Sequence, residues 1–333
     1  MFKKILKAKP YIIAEIGANH NGSFNKACFL IKSAKKAGCD AVKFQSWDEN
    51  LNCLSYYKKN KKERTDYLKY KLNFNQLKKL RLLAKKLKID FGTTPFSKIQ
   101  LKEAKMLNCD FVKVASMDLN NYPFMEELSK IKNDLIISTG FSTTSEIKHA
   151  SKIIRKKGKK NVIFLHCVGL YPPKKENFLN LRNMETLRKI TGFAVGFSDH
   201  TDWIETPITA SALGARVIEK HFTFNKKAIG WDHAVSADFK EMKNLVSSSK
   251  RAYNLRGELE RKISQDEIKK SKIMRRSIIT KTELFKNHVL SSKDLNLQRP
   301  GTGIPPKYLK KIIGRKLRKR IASGEILKWS MIK

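Results

Sequence analysis

Ionisable side chains stand in this chain where apolar ones are expected. Glu15 interrupts the run Tyr11-Ile-Ile-Ala-Glu-Ile-Gly17, Lys43 lies within Ala41-Val-Lys-Phe-Gln45, and Lys113 within Phe111-Val-Lys-Val-Ala-Ser116. A charge in an apolar strand is costly unless it is paired or meets an anion. The two lysines, with the hydroxyls of Ser116, Ser138 and Ser198, make a phosphate or carboxylate pocket of point charges and hydroxyls rather than of a glycine-rich loop. His200 in Gly196-Phe-Ser-Asp-His-Thr201 and His221 in Glu219-Lys-His-Phe-Thr223 end successive strand-like runs. Both imidazoles can then reach one divalent ion, with carboxylate or water completing the shell, and such donors suit Mn2+ better than Mg2+. Plainer readings stay open on spacing alone: Glu15 as an edge-strand charge, the lysines as structural ion pairs, the histidines as ordinary hydrogen-bonding groups.

These residues need elements to hold them. Tyr11 to Gly17 has the length and composition of a buried parallel strand, and Asn19, Asn21 and Gly22 supply a loop after it. Phe24 to Ala37 places Ala27, Leu30, Ile31 and Ala34 on one helical face, and Gly38 closes it. The spacing predicts further strands at 41–45, 90–94, 111–116, 135–139, 162–168, 194–198 and 216–224. Helices are expected at 73–88, 144–157, 179–190, 204–213 and 239–255, and Ser46 to Tyr70 reads as a long polar and aromatic loop. Eight strand–helix units over roughly 250 residues predict a closed α/β barrel of the (β/α)8 type rather than an open sheet. Polar residues fall near the carboxyl ends of its strands: Glu15, Lys43 with Gln45, Thr93 with Thr94, Lys113 with Ser116, Ser138, Tyr171, Ser198 with His200, and His221. In a barrel these ends converge on one face.

The barrel is expected to span residues 1–256, a charged connection 257–275, and a second small domain 276–333, with short strands at 277–280, 289–290 and 325–329 and a short helix near 307–313. Phe285-Lys-Asn-His-Val-Leu290 loosely echoes Ala322-Ser-Gly-Glu-Ile-Leu327, a weak sign of internal duplication.

The 333 residues carry 70 Lys and Arg against 30 Asp and Glu, a formal charge of +40. That balance raises nucleic acid or another polyanion as a partner. The lysines are nevertheless spread along the whole chain, as on a solvated surface, and no specific nucleic-acid element is expected. Cys28, Cys39, Cys53, Cys109 and Cys167 form no C-x-x-C pair, which favours reduced thiols and a cytoplasmic location. No apolar run has the length of a membrane span, and the basic first ten residues make a poor signal peptide.

Several motifs occur together and in order: Ala14-Glu-Ile-Gly-Ala-Asn-His-Asn-Gly22, Val42-Lys-Phe-Gln45, Thr93-Thr-Pro-Phe-Ser97, Lys113-Val-Ala-Ser116, Ser138-Thr-Gly140, Leu165-His-Cys167 with Tyr171-Pro172, Gly196-Phe-Ser-Asp-His-Thr201, Glu219-Lys-His221 and Arg299-Pro-Gly-Thr-Gly303. With them the chain, from about residue 10 to its end, resembles the bacterial sialic acid synthase family, and its C-terminal part resembles the antifreeze-like (SAF) domain that follows the barrel there. The resemblance implies condensation of phosphoenolpyruvate (PEP) with an N-acylated six-carbon sugar, giving a nine-carbon α-keto acid and phosphate. It implies that Lys43, Thr94, Lys113, Ser116, Ser138 and Ser198 hold PEP, that His200 and His221 bind the metal, Mn2+ first with Mg2+ or Co2+ as alternatives, and that Glu15 moves protons. Gln45, Tyr171 and Asp232 would touch the sugar, and Arg299 would act on it from the other subunit of a domain-swapped homodimer.

Two departures bear on these roles. Asp118 stands where the family commonly has Glu, one methylene shorter, so its catalytic role does not transfer directly. Gly169 stands where the family commonly has Asn, which leaves open N-acetylmannosamine or a diacetamido sugar as acceptor. The rivals are another PEP-dependent barrel synthase, whose known forms lack the antifreeze-like tail, and a non-enzymatic polyanion-binding protein on a barrel scaffold.

Overall fold

Strand side chains alternate between two faces, and in this chain each face has its own task. A computed structural model describes residue 5, residues 10–47 and residues 51–333. The strands β1 (Tyr11–Gly17), β2 (Ala41–Ser46), β3 (Asp90–Pro95), β4 (Phe111–Val114), β5 (Asp134–Ser138), β6 (Val162–Cys167), β7 (Ala194–Asp199) and β8 (Val217–His221) form a closed parallel barrel in sequence order. Tyr11, Ile13, Ala41, Phe111, Ile136, Ile163, Leu165 and Val217 pack together as its inner floor. Two residues further along the same inward faces come Glu15, Lys43, Lys113, Ser138, Cys167 and Glu219, so the interior turns from apolar to polar toward the carboxyl ends of the strands. Gly92 makes the floor possible, because a Cβ there would lie 2.3 Å from the Phe111 ring.

The outward faces, with Ile12, Ala14, Val42, Phe44, Val112, Leu135, Ile137, Phe164, Phe197 and Ile218, form the main core against the helices. Helix α1 (Phe24–Ala37) buries Ala27, Leu30, Ile31 and Ala34 as the spacing predicts; Ser23 caps its start and Gly38, at φ 89°, its end. Helix α4 (Phe74–Lys86) opens with the Asn73/Gln76 capping box and α7 (Thr144–Lys156) with Thr143/Glu146; α10 (Phe239–Leu255) opens with Asp238/Glu241. Between them lie α5 (Lys98–Met106), α6 (Tyr122–Ser129), α8 (Asn183–Thr191) and α9 (Glu205–Ala212).

The stretch expected to be one long loop differs. It holds two helices, α2 (Leu54–Lys59) and α3 (Lys61–Tyr70), while residues 48–50 lie outside the described residues. Tyr67 and Tyr70 stand one turn apart on α3 and bury with Tyr57, Trp47 and Ala18. A helix that buries tyrosines among lysines has little apolar periodicity, which is why the sequence reads as a loop.

The chain divides into two compact units at Gly257/Glu258. The segment expected to be a mere connection contains α11 (Gln265–Met274), capped by Ser264, and belongs to the second unit. That unit pairs β9 (Ser277–Thr280) antiparallel with β10 (Leu295–Gln298) and buries Ile278, Leu284, Leu290, Ile304, Leu317, Ile321 and Leu327. A short helix α12 (Leu309–Ile312) follows a single tight turn at 306–308. The echoed segments are structural equivalents. Each turns through a left-handed residue, Asn287 (φ 69°) and Gly324 (φ 75°), and the residues before them, Leu284 and Ile321, exchange both backbone hydrogen bonds at 2.9 Å. Among the described residues no helix is long and apolar enough to cross a membrane.

Candidate active site

The barrel's ladders fix which charges meet. Glu15 is the Cα partner of Lys43 on one side and of His221 on the other, and Ser198 is the partner of Glu219. All are buried. Lys43 Nζ lies 2.7 Å from Glu15 Oε2 and donates to Thr94 Oγ1 at 2.9 Å. Lys113 Nζ donates to Ser138 Oγ at 2.6 Å and to the Val114 carbonyl at 3.0 Å. Glu219 stands between the two lysines, 3.9 Å from each, and accepts from Ser198 Oγ at 2.9 Å. Ser116 Oγ accepts from the Gly140 N–H at 3.1 Å.

Two lysines and two glutamates in one buried layer have unequal shares of the charge. Burial pushes the Glu15 carboxyl up to about 7, with Lys43 opposing and the Glu219 charge adding. Burial acts the same way on Glu219, but Lys113 and Lys43 outweigh it and hold that carboxyl below its usual range. Burial lowers Lys113, with Glu219 resisting; on Lys43, Glu15 and Glu219 win against burial and raise it. Near neutral pH the layer therefore has a firmly ionised Glu219 and a Glu15 able to give or take a proton, which is the condition for general acid–base work.

The histidines close the other side. His200 and His221 have ring centroids 5.4 Å apart, and Tyr171 stacks on His200 at 3.9 Å. His200 Nδ1 lies 2.9 Å from the Val168 carbonyl, so as donor it leaves Nε2 with a free lone pair, and His200 lines the cavity. Burial, then the neighbouring His200 and lysines, pushes His221 well below its ordinary value and keeps it neutral. His200 is raised: burial is overcome by the Cys167 sulfur and the Val168 carbonyl, so a proton and a metal ion compete for it. His221 Nδ1 is buried with no hydrogen-bond partner among the described residues, 3.5 Å from Asp232 Oδ2. Among those residues no group of three His, Cys, Asp or Glu side chains is placed to hold an ion by itself. The donors available to a divalent ion are therefore the two imidazoles, and any other positions would fall to substrate or water oxygens.

One cavity of about 200 Å3, open to solvent, gathers this chemistry. Of the residues expected from sequence, Glu15, Lys43, Gln45, Thr94, Lys113, Ser116, Ser138, Tyr171, Ser198, His200, His221 and Asp232 line it. Asp118 is not among the lining residues. It lies on the tight turn 116–118, where successive side chains point a third of a turn apart; Ser116 and Met117 face the cavity while Asp118 is buried and accepts from Asn121. Arg299 belongs to the second unit, while every lining residue belongs to the first. Sequence reasoning missed Glu219, Trp47, Phe96, Phe141 and Trp231. Glu219 was detectable: like Glu15, it is a carboxylate on the inward face of an apolar strand.

A closed parallel barrel with an acid–base and cation-lined cavity at the carboxyl ends of its strands defines a (β/α)8-barrel enzyme with a small domain appended. The chain belongs to the NeuB family, whose model matches residues 30–261, and a SAF domain model matches residues 275–333. It is 35% identical to the N,N'-diacetyllegionaminic acid synthase of Legionella pneumophila, over 97% of this chain and 94% of that one. It is 32% identical to the pseudaminic acid synthase of Helicobacter pylori, over 93% and 94%. A crystal structure of the N-acetylneuraminic acid synthetase of Leptospira borgpetersenii, solved with citrate, matches with a TM-score of 0.74 and 32% identity, covering 79% of this chain and 90% of that one.

Proposed function

We propose that this enzyme is a nonulosonic acid synthase that condenses PEP with an N-acylated hexose, either N-acetylmannosamine or a 2,4-diacetamido-trideoxyhexose, to give a nine-carbon α-keto acid and phosphate. The observation that carries the reading is the juxtaposition, in one cavity, of a buried cradle for an anion with two imidazoles. Lys43, Lys113, Thr94, Ser116, Ser138 and Ser198 present charge and hydroxyls to the phosphate and carboxylate of PEP. A divalent ion, Mn2+ first and Mg2+ or Co2+ as alternatives, held by His200 and His221 would supply Lewis acidity to the acceptor's aldehyde.

In the reaction C3 of PEP bonds to the aldehyde carbon, water adds at C2, and the bond between C2 and the phosphate oxygen breaks. One proton of the water ends on the hydroxyl formed from the aldehyde oxygen and the other on phosphate. Glu15, close to neutral in its proton affinity, receives the water's proton and passes it on. The firmly ionised Glu219 stabilises positive charge developing at C2, and Asp118 joins Glu15 as a second candidate for handling protons. Gln45, Tyr171 and Asp232 face the sugar. Arg299 of the partner subunit completes the sugar site in a domain-swapped homodimer, and the five free thiols support a reducing, cytoplasmic setting. Phosphate release from PEP, measured with Mn2+ across a panel of N-acylated hexoses, tests the reading: release with at least one acceptor and none without acceptor is expected, and silence across the panel overturns it.

A further inference from the structure

The connection from β8 to α10, residues 222–238, brings Trp231 and Asp232 to the cavity. A long connection without helix or strand of its own is usually functional, and this one is closed at its base. Thr223 N donates to the Ala237 carbonyl at 3.0 Å, and Ala237 N to the His221 carbonyl at 2.8 Å. Its interior is held by the loop after β1, whose asparagines read from sequence as turn formers alone. Asn19 Nδ2 donates to the Phe222 carbonyl at 3.0 Å and to Ser236 Oγ at 2.8 Å, and Ser236 Oγ donates to the Asp232 carbonyl at 2.6 Å. Asn21 uses both ends of its amide. Nδ2 donates to the Ile229 carbonyl at 3.1 Å and Oδ1 lies 3.1 Å from His233 Nε2, so one side chain spans from residue 229 to residue 233 across Trp231 and Asp232. Gly230 permits this approach, because a Cβ there would lie 2.6 Å from His233 Cδ2 and 3.0 Å from Asn21 Oδ1.

The hydrogens follow from the partners. A carbonyl only accepts, so Asn21 Nδ2 faces Ile229 and its Oδ1 faces His233. Nε2 of His233 then carries the ring hydrogen, and Nδ1 accepts from Thr223 Oγ1 at 2.6 Å. His233 is buried, and burial, then the Lys26 charge, lowers its pKa and favours this neutral form. Removing Asn21 would strand a buried N–H, which is costly. What this clasp holds is a carboxylate in an unfavourable place. The Asp232 side chain is 14% exposed, with Oδ2 3.5 Å from His221 Nδ1. Two more oxygens crowd the same spot: a Cβ at position 17 would lie 3.1 Å from Glu15 Oε1, 3.4 Å from Gln45 Oε1 and 3.5 Å from Asp232 Oδ2. A carboxylate among other acceptors is better solvated by water, so its backbone has to hold it in. We infer that Asn21 and His233 are positioning residues for the condensation, acting through the chain on either side of Trp231 and Asp232 to hold the Asp232 carboxyl at the acceptor side of the cavity. The inference rests on the synthase reading, in which Asp232 faces the sugar.

The test measures the KM of each substrate, with Mn2+, PEP and the N-acylated hexose that releases most phosphate, in the native enzyme and in variants of the clasp. Asn21→Ala and His233→Ala are each expected to raise the acceptor KM by about tenfold while the KM for PEP stays within about twofold of native. The double variant is expected to do no more than the worse single one, since both break one clasp. His233→Gln, whose amide N–H can take the place of the Nε2 hydrogen, is expected to recover most of the loss. Gly230→Ala removes no polar group, its backbone lies outside the left-handed region, and it sets a methyl against the His233 ring; the same one-sided rise is expected, and this variant decides the matter where the alanines at 21 and 233 do not fold. Hydrogen exchange of residues 222–238 should quicken in these alanine variants while that of the barrel strands stays native. Equal rises in both KM values, or an acceptor KM unmoved in the folded variants, overturns the assignment while leaving the synthase reading intact. Absence of phosphate release with every sugar in the native enzyme removes the synthase reading and the assignment with it.

Discussion

Glu15 is the residue on which most of the chemistry turns, because burial, opposed by Lys43 and helped by the Glu219 charge, brings its proton affinity near neutrality while the lysines hold Glu219, in the same layer, ionised. Glu15→Gln keeps the shape and removes the base; turnover is expected to fall by about 10² to 10⁴ with the circular dichroism unchanged, and near-native turnover in the folded variant would remove Glu15 from the mechanism. A second residue of the same loop region carries a pH-dependent part of stability. His20 is buried, and its Nδ1 accepts from the Gly22 N–H at 3.0 Å. Burial, opposed by a hydrogen bond with Gly17, pushes it down to about 4. Its folded value is depressed, so the unfolded chain binds the extra proton between its own value and that of the fold. The stability His20 contributes is complete above the ordinary histidine range and is lost as pH falls toward 4, about 3 kcal/mol in all. Urea unfolding of native and His20→Gln protein at pH 7 and pH 4.5 should show a steeper acid loss in the native chain; equal slopes would contradict this. Glu15, Lys43 and Lys113 are legible in the sequence because a charge in an apolar strand is an anomaly. Glu219 is less legible because Glu219, Lys220 and His221 stand in a row at the end of a five-residue strand, so no apolar alternation singles it out, and Trp47 and Trp231 because aromatic residues near loops read as cover rather than as wall.

At the scale of elements, the barrel is legible because its two periodicities are clean. Strands of four to seven residues alternate faces, and helices such as α1 and α7 bury one stripe and begin with a capping residue. The floor of the barrel should respond as a packed core. Ile163 is fully buried in it, and Ile163→Ala is expected to cost about 2–5 kcal/mol in denaturant unfolding, with the KM for PEP little changed in protein that remains folded. A cost under about 1 kcal/mol would mean that the floor is not the rigid base of the site. The helices α2 and α3 were not legible, because tyrosines placed among lysines give weak amphipathicity while their burial depends on Trp47 and Trp231, contributed from elsewhere in the chain. Asp118 illustrates the same limit. Its type and its place after β4 pointed to the site, but in the turn that follows this short strand Ser116 and Met117 line the cavity, while the buried Asp118 accepts from Asn121 and keeps its other carboxyl oxygen without a hydrogen-bond partner among the described residues.

At the scale of the molecule, the charge of +40 is carried by residues that water solvates: among the described residues only Lys43, Lys113 and Lys220 are buried lysines. The first two belong to the cavity, and Lys220 pairs with Asp199 at 2.8 Å behind it. The second unit was legible as a change of character near residue 276, and its repeated turn as an echo, but its beginning was not, since α11 is charged and has no buried residue from which a pattern could be read. A swapped homodimer predicts complementation. Mixing Arg299→Ala with Glu15→Gln after verified subunit exchange should restore part of the activity that neither variant has, and no rescue would contradict an Arg299 acting from the partner. The most direct test of the synthase itself follows the carbon. PEP labelled with 13C at C3 is incubated with Mn2+ and the acceptor that releases most phosphate, and the products are read by mass and NMR. The account predicts one nine-carbon α-keto acid per phosphate, with the labelled carbon bonded to the former aldehyde carbon of the sugar. Phosphate released with labelled pyruvate and unchanged sugar would contradict it.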